Sequence, residues 1–425
     1  MPVLFALLAV HPHTPPTAHA AWGWGVLGAA WLIGLLALQA WAGRGLRRLP
    51  RLEAMDGRLA ARREHWPLLS VLVAARNEAH TVEQGMRSLL AVDYPRMELI
   101  AVDDRSTDET GAVLDRLAAE DARLRVVHLT ALPGGWLGKC HALQLAADAA
   151  RGEWLLFTDA DVGFSRTALR RTVAFAERAG FDHLAGAPRV EAPGTGLALL
   201  IATFSLVFTL GSRPWAAPDP RDAAVVGVGP FNLVRASAYR SSGGHAALPL
   251  AILDDVILGR VLKGAGFRQA MVVATQADGE DPRPGHPYLS FPWYPSLRAA
   301  IVGLEKNAFA AFDFRVPALA AWVVGLSALL WGPFIAAALA PGWQRLPWIA
   351  AALLTCTALR TAGREVLGRF CWPLSLLLPV GWALLVYTVV RSAWITLRQR
   401  GVRWRDTVYP LQQLRGQQLG RTGPE

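Results

Sequence analysis

The sequence predicts an α/β domain with a mainly parallel sheet, set between membrane-spanning helices. Hydrophobic residues make up 53% of the 425 and charged residues only 18%, too apolar a balance for an ordinary soluble protein. Long charge-free runs lie toward both ends of the chain. Between them, short β-rich runs alternate with helical patterns in a stretch of ordinary globular composition.

Residues 21–43 (Ala21 to Gly43) carry no charge and, as a helix, are long enough to cross a hydrocarbon core of about 30 Å. Trp22, Trp24 and Trp41 lie near the two ends of this run, where indole rings favour the headgroup layer. Residues 44–65 form a basic juxtamembrane linker with Arg44, Arg47, Arg48, Arg51, Arg58, Arg62 and Arg63, whereas residues 1–20 contain no Lys or Arg. The positive-inside rule therefore places residues 1–20 outside and the following domain in the cytoplasm, at the cell inner membrane. A cleaved signal peptide is the competing reading, disfavoured by the missing basic n-region.

Residues 66–315 form the domain. Expected strands are Leu68 to Ala74, Leu99 to Val102, Leu124 to Leu129 and Trp154 to Phe157. They alternate with helices near Thr81 to Leu90, Thr110 to Ala119 and His141 to Ala149, which implies right-handed crossovers and a mainly parallel sheet. Within the domain, residues 196–211 are charge-free and read equally as an interfacial helix or a buried core helix.

Residues 316–390 form a second membrane region of two or three segments. Val316 to Trp343 and Phe370 to Val390 are long enough to cross, while Leu346 to Leu359 is short. Three crossings would put the basic tail, residues 391–425, outside against the charge rule. One segment is therefore expected to be re-entrant or interfacial.

Lys and Arg number 43 against 33 Asp and Glu, a net charge of +10 that calls for an anionic partner. The arginines cluster beside the spans, where anionic lipid accounts for them, so no nucleic-acid partner is expected. Cys140, Cys356 and Cys371 are too few and too scattered for a disulfide framework or zinc site. His141 and Cys140 are assigned no chemistry.

In a parallel sheet, ligands collect at the carboxyl ends of the strands. The polar clusters fall there: Ala75-Arg76-Asn77-Glu78, Asp103-Asp104-Arg105-Ser106-Thr107-Asp108 and Thr158-Asp159-Ala160-Asp161. Asp159 and Asp161, one residue apart after a buried strand, can share a Mg²⁺ or Mn²⁺ ion that bridges to a diphosphate. The plainer reading is that one of them caps a helix beginning near Ser165. Gly134-Gly135-Trp136-Leu137-Gly138-Lys139 adds a glycine-rich loop and an ammonium suited to phosphate, without the spacing of a P-loop or a dinucleotide fingerprint. Asp254-Asp255 opens a further helix, as a general base or as its N-cap.

Taken in order and spacing, these blocks resemble an inverting family 2 glycosyltransferase with the GT-A fold, a Rossmann-like domain. The resemblance implies nucleotide-sugar binding by Ala75, Glu78, Asp103, Asp104, Gly138, Lys139 and Asp159. It also implies a divalent metal, Mg²⁺ or Mn²⁺, on Asp161 with Asp159, and a catalytic pair Asp254 and Asp255 with Asp255 as base. Gly229 to Asn232 would shape the acceptor side. One N-terminal span, the Gly-Gly-Trp-Leu-Gly-Lys block, Gly303 with Lys306-Asn307, and the Trp404-Arg405 and Tyr409 tail are similar to the branch acting on membrane lipids. That branch includes hopanoid-associated, carotenoid (diaponeurosporenoate) and ceramide glycosyltransferases. A UDP-sugar donor and a polyisoprenoid, carotenoid, hopanoid or glycolipid acceptor are thereby implied. No Gln-x-x-Arg-Trp follows Asp255, and Arg298 or Lys306 stands as its substitute. A processive polysaccharide synthase, a non-catalytic nucleotide-sugar-binding membrane protein and a nucleotidyltransferase are the rival readings.

Overall fold

Leu69–Ala75 is almost wholly apolar, and this continuous hydrophobicity suits a strand covered on both faces. It is the central strand, β1, of the computed structural model, which describes residues 18–55, 65–405 and 407–415. Strands β2 (Met97–Asp104), β3 (Leu124–Leu129) and β4 (Trp154–Asp159) complete a parallel unit in the order β3-β2-β1-β4. Strand β7 (Asn232–Arg235) runs antiparallel between β4 and β6 (His183–Val190). Both β8 (Gln269–Ala274) and β9 (Leu289–Phe291) lie parallel to β6, and the two-residue β5 (Gly163–Phe164) pairs antiparallel with β9. The expected α/β class, with a mainly parallel sheet, is what the chain forms. Ala75 pairs with Asp103 and Ala74 with Asp159, so the acidic strand ends are level along one edge.

Side chains alternate across the sheet. Val71 and Val73 of β1 pack with Leu99 and Leu156 under helices α2 (Val82–Leu90), α3 (Thr110–Glu120) and α5 (Ala168–Ala179). Leu72, Ile100 and Phe157 face the other way, against α4 (Gly138–Ala149) and α6 (Thr195–Ser212). Two boundaries differ from expectation. Helix α4 begins at Gly138 rather than His141, so Gly138 and Lys139 form its first turn. Helix α5 begins at Ala168 after Thr167, because β5 must first pair with β9.

Among the described residues, five helices are long and apolar enough to cross a membrane: α1 (Ala18–Leu46), α6, α10 (Val316–Leu339), α11 (Leu346–Leu367) and α13 (Leu378–Arg398). Short helices α7 (Ala236–Ser241), α8 (Asp254–Gly264) and α9 (Leu297–Leu304) belong to the domain, and α12 (Trp372–Ser375) precedes α13. Helix α10 leaves the domain at the buried Phe314, and α11 returns. At the remote end Trp348 Nε1 donates to the Trp24 carbonyl (2.9 Å), midway Gln39 donates to the Leu354 carbonyl (2.6 Å), and at the domain end Arg51 pairs with Glu365 (2.9 Å). Helices α1 and α11 are therefore parallel neighbours.

The apolar run from Phe370 to Val390, expected to be one crossing, is interrupted. Pro373 and Pro379 each sit in the first turn of a helix, so α12 stops and α13 starts afresh. Helix α13 begins partway along α10, where Trp331 donates to the Pro379 carbonyl (3.0 Å) and Trp382 to Ser327 (2.9 Å). It ends at the domain, with Ser392 accepting from the Phe309 amide (3.1 Å) and Arg391 paired with Glu305 (2.7 Å). The segment expected to be short is instead the uninterrupted α11.

Helix α6 is wedged between the sheet and these helices, and it packs on α13 where Gly381 has no side chain to collide with Thr203. The tail is not an extended basic segment up to Arg415. Strands β10 (Gly401–Trp404) and β11 (Thr407–Pro410) form a hairpin, followed by the turn Leu411–Leu414, with Val402, Tyr409 and Leu414 buried. Residues 1–17 of the expected outer segment, Arg58, Arg62 and Arg63 of the linker, and residues 416–425 lie outside the described residues.

Gly85 in α2 faces the Ala160 carbonyl so closely that a Cβ would collide with it, whereas Gly134 has open space around it. Gly85→Ala is expected to cost about 1–3 kcal/mol of stability, read as a lower thermal midpoint in detergent, while Gly134→Ala stays near wild type. Equal midpoints for the two variants would dismiss the close approach.

Candidate active site

Strand β4 delivers Asp159 as its last residue. Thr158 Oγ1 donates to the Pro230 carbonyl (2.7 Å), and Gly85 admits the Ala160 carbonyl, which fixes the turn carrying Asp161. Neither aspartate caps α5, whose N-cap is Thr167. From the first turn of α4, Lys139 Nζ reaches Asp159 at 2.9 Å and Asp254 at 3.6 Å. Asp254 and Asp255 lie inside the first turn of α8 behind Leu253, so neither is its N-cap.

Gly229 sits at the centre of this group. A Cβ there would lie 3.1 Å from Asp159 and 3.7 Å from both Asp255 Oδ2 and Lys139 Nζ. Asp255 Oδ1 accepts the Val256 amide at 2.8 Å. Gly227 allows the backbone of Asp255 to approach, since any side chain would strike the Asp255 carbonyl.

Burial governs the charge states. It pushes Asp254 up to about 6 against the pull of Lys139, and raises Asp255 as well. Burial works against the charge of Lys139, but Asp159, Asp254 and Asp255 outweigh it and hold the ammonium well above its ordinary range. Burial, then the neighbouring Asp159 and Glu78, pushes Asp161 up to about 7. His245, buried and 4.0 Å from Asp254, is driven down to about 3 and is neutral; its Nδ1 meets the Tyr239 hydroxyl at 2.8 Å.

The expected nucleotide side is built from two tied loops. Asn77 adopts a left-handed φ of 55°, and its Oδ1 accepts the Thr107 amide (2.8 Å), while the Glu78 amide donates to Thr110 (2.8 Å). Asp104 pairs with Arg105 (2.7 Å) beside Gly138, where any side chain would strike the Asp104 carboxylate. Ala75 is buried at the end of β1. Asp103 turns the other way, accepting from the Ser106 amide (3.2 Å) and meeting Nδ1 of His128 (3.0 Å), whose Nε2 reaches Asp115 (2.9 Å). It braces the loop.

Glu78 pairs with Arg405 of the tail at 3.2 Å. Lys306 lies beneath the Trp404 ring, 4.1 Å from its centroid, whereas Arg298 is on an exposed face of α9. The structure thus gathers Lys139, Asp159, Asp254 and Asp255 into one group, sets Asp104 beside Gly138, and separates Asp103 from both. Sequence reasoning missed His245, Gly227 and Gly85. Only Gly85 left a signal, a glycine inside a helical pattern.

Residues 70–225 match the family described as Glycosyl transferase family 2. The chain carries a family 2 glycosyltransferase domain. The matched stretch runs from β1 to the loop before β7, stopping short of Asp254 and Asp255. The chain is 36% identical over 26% of its length to a beta-monoglucosyldiacylglycerol synthase of Synechocystis sp., covering 23% of that protein. A 4,4'-diaponeurosporenoate glycosyltransferase of Staphylococcus haemolyticus is 24% identical over 56% of this chain and 60% of its own. The chain thus spans less than two thirds of the length of either relative. A solved mannosyltransferase from Pyrobaculum calidifontis, in complex with GDP-Man and Mn²⁺, has 20% identity and a TM-score of 0.45, covering 88% of this chain and 99% of that one.

Among the described residues no group of three or more His, Cys, Asp or Glu side chains is arranged to hold a metal by itself. Two carboxylates with phosphate oxygens completing the shell are a normal Mg²⁺ or Mn²⁺ arrangement, and Asp159 at the end of β4 with the half-buried Asp161 beside it fits such a cation. Because folding holds Asp161 above the ordinary carboxylate range, its contribution favours the folded state at low pH. That contribution is lost as the pH rises through about 7 and the carboxyl ionises. Mn²⁺ is therefore expected to stabilise the protein little in acid and progressively more as the pH passes about 7. Thermal shifts should show this trend, and Asp161→Asn should flatten it; a pH-independent Mn²⁺ shift in the parent protein would count against the assignment.

Proposed function

We propose that the protein is an inverting glycosyltransferase that moves a sugar from a nucleotide-sugar donor, a UDP-sugar, to a membrane lipid. The observation that carries this reading is the convergence of Lys139, Asp159 and Asp255 around Gly229 at the carboxyl edge of the sheet. The helices that carry Lys139 and Asp255 share one apolar core with α6 and α13, which supports a lipid acceptor of polyisoprenoid, carotenoid, hopanoid or glycolipid type. The names of the two relatives point the same way.

Asp104 and Gly138 would border the nucleotide, with Ala75 and Glu78 at its base and ribose side. Asp159 and Asp161 would hold the divalent metal. When bound, that metal supplies charge neutralisation to the departing diphosphate. Lys139 adds a fixed positive charge beside it.

Asp255 accepts the acceptor's proton, a role helped by a basicity raised through burial. The freed oxygen attacks the anomeric carbon from the face opposite the leaving group. One carbon–oxygen bond forms as the bond to the diphosphate oxygen breaks, and the configuration inverts. Asp254, tied to Lys139 and close to His245, positions the ammonium.

The helices support a three-crossing topology. Helix α6 connects two strands of one sheet, and therefore starts and ends on the same side. Helices α10 and α11 go out and return, and the tail hairpin after α13 rests on the domain. Crossings by α1, α10 and α11, with α6 and α13 confined to the domain side, satisfy all these contacts. Arg44, Arg47, Arg48, Arg364, Arg391 and Arg398 then lie on the domain side, which the charge rule makes cytoplasmic at the inner membrane.

Labelled UDP- and GDP-sugars, Mn²⁺ and a total bacterial lipid extract should yield one sugar on an organic-extractable lipid. Asp255→Asn should slow transfer at least about 100-fold while keeping nucleotide affinity. A polymer ladder would instead indicate a processive synthase, and nucleotide binding without transfer to any lipid would indicate a binding protein.

For the topology, Arg345→Cys and Gln399→Cys, each made with Cys371→Ser, should react with an impermeant maleimide from opposite sides of sealed vesicles. Labelling from the same side would refute three crossings.

A further inference from the structure

The hairpin of β10 and β11 is fastened to both loops that flank the expected donor position. Arg405 in its turn pairs with Glu78 after β1 at 3.2 Å. The Tyr409 hydroxyl, on β11, donates to the carbonyl of Trp136, just before Gly138 and Lys139, at 3.0 Å. Beneath the hairpin, Lys306 places its ammonium 4.1 Å from the centre of the Trp404 ring.

The electrostatics of the cleft give this arrangement a purpose. Glu78, Asp104, Asp159, Asp161, Asp254 and Asp255 lie at the strand ends and helix start that the donor-site reading assigns to a diphosphate, itself an anion. Lys139 is already shared between Asp159 and Asp254, and Arg105 is paired with Asp104. Lys306 and Arg405 bring two more positive charges to the same edge, close enough for Lys306 to interact with Lys139, Asp159 and Asp254. Arg405 also holds a left-handed φ of 53°, the backbone state that the tight turn between Trp404 and Thr407 demands, and its guanidinium reaches Glu78 from that turn.

We propose that the C-terminal hairpin is a wall of the donor site, with Arg405 and Lys306 supplying positive charge to the nucleotide-sugar diphosphate and Arg405 exchanging Glu78 for a phosphate oxygen when the donor binds. The assignment rests on the reading of the cleft as a nucleotide-sugar site. It gives the tail a place in donor binding, and it connects that site through α13 to the side on which a lipid would arrive.

Hydrogen exchange of the full chain in detergent tests the proposal, with UDP or GDP and Mn²⁺ as probes and calorimetry for affinity. Saturating nucleotide should slow exchange at residues 401–411 as well as at the loops 75–78 and 104–107. Arg405→Ala should weaken nucleotide binding by about ten-fold or more and abolish the nucleotide-dependent slowing in the hairpin, with Arg405→Lys intermediate. A merely structural Arg405 would raise basal exchange in the hairpin yet leave nucleotide affinity unchanged, and that result overturns the proposal. Slowing confined to the two loops, with the hairpin unresponsive, overturns it too while leaving the donor-site reading intact. If neither nucleotide binds by calorimetry, the donor-site reading fails and the hairpin assignment with it.

Discussion

Lys139 is held where three aspartates converge, and much of the domain is arranged so that this can happen. A carboxylate taken out of water is costly unless a cation compensates it, and a buried ammonium is equally costly alone. Asp159 arrives from β4 and Asp254 from α8, so the lysine ties the parallel half of the sheet to the segment that follows β7. Gly229 passes between them without a side chain, and Gly138 lets the first turn of α4 lie against Asp104. These close approaches exist because the charged group is compact, and the group stays compact because the glycines allow it.

The same logic of opposed faces explains how the domain joins the membrane helices. One side of the sheet is closed by amphipathic helices. The other continues through α4 and α6 into Trp382 and Leu385 of α13 as one apolar core. A helix such as α6, apolar around nearly its whole circumference, suits a place with protein above and apolar helices or acyl chains below.

The strands were legible because a strand buried on both faces must be apolar throughout, and the acidic ends of β2 and β4 followed directly. Asp159, Asp161, Asp254 and Asp255 were legible as types in a spacing. The union of Asp159, Asp254 and Asp255 around Lys139 needed the crossovers. Asp103 and Asp104 are adjacent in sequence but face opposite ways on a strand, so composition alone did not reveal that Asp103 braces a loop with His128. The prolines that divide the run after Phe370 were visible, yet apolar length outweighed them in reading that run as one crossing. The tail hairpin was beyond local patterning, since Glu78 and Arg405 meet across 327 positions of chain.

Because α6 is packed against both the sheet and the apolar helices α11 and α13, a bilayer around those helices would be a mechanical neighbour of the glycosyltransferase domain. A hydrophobic helix that exceeds the local bilayer thickness responds by tilting, and the cost grows with each ångström of mismatch. Tilting α10 and α11 would press on α6 and α13, and through them on the face of the sheet that carries Phe157, two residues from Asp159. With these helices in a bilayer, acyl-chain length and lateral pressure would become inputs to the geometry of the site, and the membrane would set part of the working shape of the domain.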